Sequence, residues 1–138
     1  MRQAMDELVV QTPGQGLHEI TDRLAAWVAE AGIADGLLTL FIRHTSASLI
    51  IQENAAPAAR RDMERFLGRI APEDFPYEHD EEGPDDCPAH LRALLTVTSV
   101  TVPVMGGRLM LGTWQGVYLA EHRRVGHRRR VVVCLVGE

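Results

Sequence analysis

Three histidines stand at boundaries between secondary-structure signals: His44, His90 and His122. An imidazole can hold a metal through either ring nitrogen or move a proton near neutral pH. Three imidazoles around an open fourth position would make a catalytic metal site, so His44, His90 and His122 are the first candidate ligand set, for Zn or Mg. His44 and His122 are also candidate acid/base groups, with Glu53 as a carboxylate partner. Thr45, Ser46 and Ser48 follow His44 and offer hydroxyls and backbone N–H groups to an anion. Turn chemistry, in which Ser and Thr bond their own backbone, explains the same residues without a ligand. Asn54 caps the following helix or faces a substrate. His79 also flanks, with His90, the acidic loop from Glu78 to Asp86, the most metal-like stretch by composition. Its spacing matches no standard metal motif, and acidic loops are commonly solvated surface.

The segment Leu111 to Arg123 passes from a glycine-containing turn into a strand pattern and ends on Glu121, His122 and Arg123. Alternation places Gln115, Val117, Leu119 and Glu121 on one face and Gly116, Tyr118, Ala120 and His122 on the other. Thr113, Trp114 and Gln115 sit at its mouth, where Trp114 can stack on a flat ring or simply pack. The basic run from Arg123 to Arg130 suits phosphate, or carboxylates of a neighbouring subunit.

The elements that must position these residues read as follows. Glu7–Gln11 is a first strand, and a helix runs from about His18 to Ala31 with Ile20, Leu24, Trp27, Val28 and Ala31 at helical spacing. Leu37–Arg43 is apolar on nearly every residue and is expected to be covered on both faces. Ser48–Gln52 resumes as strand, and Pro57 opens a helix over about 58–68. The stretch 71–87 reads as a long loop, followed by a short helix over 88–95. Strands are expected at 99–104, 108–111, 115–122 and 129–136, joined by turns at Met105-Gly106-Gly107 and Val125-Gly126-His127. The sum is an α+β fold: one compact domain, mostly antiparallel, with six or seven strands and three helices.

Composition narrows the function. The 138 residues suit one domain, 1–138, and no apolar run spans a bilayer. The N-terminus lacks the basic start and apolar core of a signal peptide, so a cytoplasmic protein without membrane partners is expected. The net charge of −5 argues against nucleic acid. All 14 cationic side chains are Arg, which excludes a catalytic lysine, a Schiff base and a P-loop lysine. Cys87 and Cys134 form no Cys-x-x-Cys pair, and Cys134 reads as a small apolar side chain.

Taken in order, His44-Thr45-Ser46-Ala47-Ser48-Leu49, Gln52-Glu53-Asn54, Tyr77-Glu78-His79-Asp80, Gly83 to His90, Gly112 to Gly116 and Glu121-His122-Arg123 resemble the YjbQ family over nearly the whole chain. Cys87 departs from the Asn or Met carried by many relatives. The resemblance implies a compact α+β domain assembled as a homotrimer. It also implies a secondary, weak thiamine-phosphate synthase activity, joining a pyrimidine methyl diphosphate to a thiazole phosphate with release of pyrophosphate. Thr45, Ser46, Asn54, Thr113, Trp114, Gln115 and Arg123 are the expected substrate-binding residues, and a small phosphorylated molecule is the expected ligand. The competing expectation is a non-catalytic trimer that binds a metal or a small molecule.

Overall fold

The computed structural model describes residues 1–138. Eight strands form two antiparallel sheets. The larger has the order β1-β8-β3-β5-β6 and the smaller β2-β7-β4. The strands are β1 (Arg2–Gln11), β2 (Gly16–Glu19), β3 (Gly36–Ile42), β4 (Ala47–Glu53), β5 (Ser99–Met105), β6 (Arg108–Leu109), β7 (Gln115–Glu121) and β8 (Arg128–Gly137). The helices are α1 (Thr21–Ala31), α2 (Pro57–Ile70) and α3 (Asp86–Leu95).

The main core lies between the sheets. Leu38, Leu40 and Ile42 of β3 and Val131, Val133 and Leu135 of β8 meet Leu49 of β4 and Val117 and Leu119 of β7. Leu24 and Val28, one helical turn apart on α1, close the same core. A satellite cluster forms on the other face of the small sheet, where Leu17, Tyr118 and Ala120 pack against Met63 and Leu67 of α2. Strand β7 is therefore buried on both faces, with the alternation expected from its sequence.

Three expectations need correction. The helix expected from His18 begins only at Thr21, because Gly16–Glu19 pairs with Glu121–Tyr118 as strand β2. Strand β1 starts at Arg2 rather than Glu7, since ten consecutive residues find partners on β8. Strand β3 is covered on one face within the chain, not on two: Leu37 is 54% and Phe41 49% exposed. Its outer neighbours Met5, Met105 and Val136 are exposed too, so one side of the large sheet is an open apolar face.

Helix α3 starts two residues earlier than its proline suggests. Pro88 sits in its first turn, where no backbone N–H is needed, and Asp86 precedes it inside the helix. That shift places Asp86 and His90 at i and i+4, on one helix face.

Candidate metal centre and the buried polar seam

The tightest gathering of metal-ligating atoms is His79, Asp86 and His90, all within 4.8 Å of one another. Asp86 Oδ2 receives His79 Nε2 at 2.9 Å and His90 Nε2 at 3.1 Å. The opposite edge of His90 donates from Nδ1 to the Thr45 carbonyl at 2.9 Å. That bond fixes the tautomer and turns Nε2 toward the carboxylate. A neutral Nε2 lone pair facing a carboxylate oxygen is repulsive, so a proton or a cation must lie between them. His79 Nδ1 is backed in turn by Glu81 at 3.1 Å. Imidazoles backed by a carbonyl and by a carboxylate are the usual outer support of a metal site.

The spacing suits a small transition metal. Ligand bonds of about 2.0–2.1 Å at a tetrahedral ion put neighbouring donors roughly 3.3 Å apart. The observed 2.9 and 3.1 Å need only slight expansion. Two imidazoles and one carboxylate favour Zn²⁺ over Mg²⁺, which prefers oxygen ligands. Asp86 is buried, which alone would raise its pKa, but the His79 hydrogen bond and the charges of His90 and Arg123 bring it below the usual range. It is an anion ready to hold a cation. His79 is shifted upward, chiefly by its bond to Asp86.

His44 and His122 are not part of this cluster, so the ligand set His44, His90 and His122 is redrawn as His79, Asp86 and His90. His44 Nε2 accepts the backbone N–H of Arg130 at 2.7 Å, and its lone pair is thereby spent. Burial and the Arg129 charge hold it below the ordinary imidazole range. His122 is 2% exposed and its Nε2 lies 2.8 Å from Ser48 Oγ. Burial first, then the charges of Arg92 and Arg129, push its pKa down to about 4.

The remaining charge forms a seam between β7, β8 and the acidic loop. Arg129 binds Glu121 through Nε at 2.8 Å and through Nη2, and also reaches Ser46 Oγ at 3.0 Å. Thr12 Oγ1 donates to the same carboxylate at 2.7 Å. Burial would raise the Glu121 pKa, but these donors keep it ionised. Arg123 is likewise engaged: Nε reaches Asp85 at 3.0 Å, Nη1 reaches Asp86 at 3.0 Å and Nη2 the Glu82 carbonyl at 3.1 Å. It positions Asp86, and its donors are not free for substrate as expected. Arg124 pairs with Glu73. The basic hairpin and the acidic loop thus meet within one chain.

The other expected site residues lie elsewhere. Thr45 offers its carbonyl to His90, and Ser46 is held by Arg129. Glu53 Oε2 accepts the N–H groups of Ala55 and Ala56, both at 3.1 Å, and so fixes the entry to α2. Asn54 bonds Glu19 at 3.1 Å, Gln115 accepts from the Gly112 N–H at 2.8 Å, and Thr113 and Trp114 are exposed, Trp114 to 65%. The pairing Ala47↔Glu121 through Glu53↔Gln115 puts these residues at the far end of the small sheet. Six residue steps along a strand are roughly 20 Å. One chain therefore carries two separated groups of candidates.

Sequence reasoning missed Arg92, took Asp86 only as part of the metal-like acidic loop, and left His79 outside its ligand set. The signal for Asp86 was present as an Asp-x-x-x-His spacing, hidden by starting the helix at Pro88.

With this geometry in hand, likeness to other proteins is informative. The family model described as "UPF0047 protein YjbQ-like" matches residues 6–138. The chain belongs to the YjbQ family. A UPF0047 protein of Synechocystis is 50% identical over 138 residues, covering 99% of this chain and 94% of that protein. The UPF0047 protein YjbQ of Escherichia coli O157:H7 is 44% identical over 132 residues, covering 95% and 96%. Among solved structures, a YbjQ-like protein of unknown function from Sulfolobus solfataricus aligns with a TM-score of 0.91 at 26% identity, covering 99% of each chain. A conserved hypothetical protein from Thermus thermophilus aligns at 0.85 and 36% identity, covering 95% of this chain and 99% of that one. The shared architecture is the two-sheet α+β domain described above. No helix is long and apolar enough to cross a membrane.

Proposed function

We propose that this YjbQ-family chain binds a divalent transition metal, Zn²⁺ by preference, and with it a small phosphorylated substrate, in support of a secondary thiamine-phosphate synthase reaction. The observation that carries the reading is the convergence of His79 Nε2, Asp86 Oδ2 and His90 Nε2 on one point. A bound divalent ion would supply charge stabilisation to a departing pyrophosphate. The protein's own part is to hold the ligands. Arg123 and Arg124 clamp the loop that carries Asp85, Asp86 and Glu73, and the Thr45 carbonyl orients His90. A hollow of about 170 Å³ lined by Tyr77, His79, Asp80 and Cys87 adjoins the cluster. This is small for a pyrimidine and a thiazole together. We propose further that the protein is a homotrimer that completes the site with a second chain. The apolar outer face around Leu37, Phe41 and Val136 supports assembly, and the separation of Glu53, Asn54, Trp114 and Gln115 from the histidines supports a shared site.

A second reading, a metal-binding trimer without catalysis, is favoured by a specific observation. The expected acid/base groups are occupied: His44 by the Arg130 N–H, Glu53 by backbone amides, and His122 by burial and Ser48. Metal analysis of protein purified without chelator, paired with product analysis on pyrimidine methyl diphosphate and thiazole phosphate, separates the readings. About one ion per chain with turnover, both lost in Asp86→Asn, supports the enzyme. Metal lost in Asp86→Asn with no turnover in the parent supports the binding protein. Absence of metal refutes the ligand set.

A further inference from the structure

Helix α3 carries a second charged side chain on the side away from His90. Arg92 lies two residues on, about 200° around the helix. It is only 5% exposed. Its guanidinium donates from Nε to the Leu67 carbonyl at 3.2 Å and from Nη2 to the Ala71 carbonyl at 2.7 Å, at the end of α2. It has no ion-pair partner; Glu73 and Asp85 act on it only at a distance. Removing a guanidinium from water without a counter-charge is costly, and carbonyl oxygens offset only part of that cost. Every other buried charge in this protein has its partner: Arg129 has Glu121, and Asp85 and Asp86 have Arg123.

Arg92 lines a cavity of about 270 Å³ together with Gln15, Gly16, Glu64, Glu121 and His122. Glu121 is neutralised by Arg129, and His122 stays uncharged at neutral pH. The unbalanced groups lining the cavity are therefore Arg92 and Glu64. Glu64 Oε2 accepts the Leu17 N–H at 2.8 Å, which leaves its other oxygen for a ligand. Gly16, at φ +143°, lines the same cavity; a Cβ there would lie 2.6 Å from Glu64 Oε2. The volume is just below the range of drug-sized pockets, which begins near about 300 Å³, and suits a small metabolite.

We propose that this cavity binds a small molecule through an oxyanion group, phosphate or carboxylate, held by Arg92, with an N–H or O–H donor on the same molecule received by Glu64. The site shares no ligand with the metal cluster and stands whether or not metal binds. An anion would restore the missing counter-charge, and the guanidinium is suited to hold it by paired hydrogen bonds.

The test is a thermal-shift and calorimetric titration with inorganic phosphate, pyrophosphate and acetate, in EDTA and at constant ionic strength. Binding only to the native state raises the melting temperature saturably. At least one of the anions is expected to do so, with affinity reduced tenfold or more in Arg92→Gln. In Glu64→Gln, which keeps the acceptor for Leu17 but removes the opposing charge, affinity is expected to rise several-fold. Arg108→Ala, a control on an exposed arginine of β6, is expected to change nothing. Absence of saturable protection by all three anions overturns the proposal, as does equal binding by a folded Arg92→Gln. Should Arg92→Gln not fold, the decision passes to Glu64→Gln, and an unchanged affinity there overturns the proposal.

Discussion

His122 gives the clearest handle on how burial sets chemistry in this protein. Its ring is 2% exposed, beside Arg92 and Arg129, and its pKa falls from 6.5 to about 4. The unfolded chain binds a proton on this residue below about pH 6.5, while the native state resists it until about pH 4. Between those values the unfolded state holds more protons, so stability rises with pH and is lost as pH falls through that window. Each pKa unit is worth about 1.4 kcal/mol, so going from pH 7.5 to pH 5 removes about 2 kcal/mol through His122 alone. For a chain of 138 residues this corresponds to a melting temperature lower by about 7 °C. The assay compares the parent with His122→Gln, by denaturant unfolding at pH 7.5, 6.5, 5.8 and 5. His122→Gln should be less stable at pH 7.5, having lost the Ser48 contact at 2.8 Å, but its stability should fall less steeply toward pH 5. His79 has a raised pKa and so favours the native state as pH falls. It is present in both proteins, and its contribution leaves the difference between them. If the two curves run parallel from pH 7.5 to 5, the burial argument for His122 is refuted.

Further outcomes follow from the same structure. Arg129→Met leaves the Glu121 carboxylate buried without its main partner and should cost about 3–5 kcal/mol, whereas Glu121→Leu with Arg129→Met should recover much of that loss; chemical denaturation measures both. Addition of Zn²⁺ to EDTA-treated protein should raise the melting temperature, and His90→Ala should abolish the rise while remaining folded. Phe41→Glu, on the open face of the large sheet where Phe41 is 49% exposed, should reduce the proposed homotrimer to monomer in light scattering, while a trimer that survives the change would place the interface elsewhere. Gly16→Ala, which combines a positive φ with an approach to Glu64, should lower stability by about 1–3 kcal/mol in thermal unfolding.

The parts of the fold that announce themselves in the sequence are those whose periodicity comes from burial. Val117, Tyr118, Leu119 and Ala120 alternate between two apolar faces, and both faces are filled. Leu24 and Val28 repeat at one turn because one side of α1 closes the main core. Strand β2 carries no such signal. It is four residues long and exists because β7, a hundred residues later, offers it an edge. Partners so distant in sequence leave no local pattern. The candidate site divides in the same way. His44, His90 and His122 were recognisable as special, but a histidine's role depends on what its lone pair meets. Arg130 N–H takes that of His44, Ser48 sits against that of His122, and only His90 faces a carboxylate. The decisive step is the start of α3. Begun at Pro88, the helix would leave Asp86 in a loop; begun at Asp86, it puts a carboxylate one turn before an imidazole. A two-residue shift in a helix start thus separates a diffuse acidic loop from a compact candidate ligand set on one side of α3, while Arg92, inside the helix from either start, faces the other side.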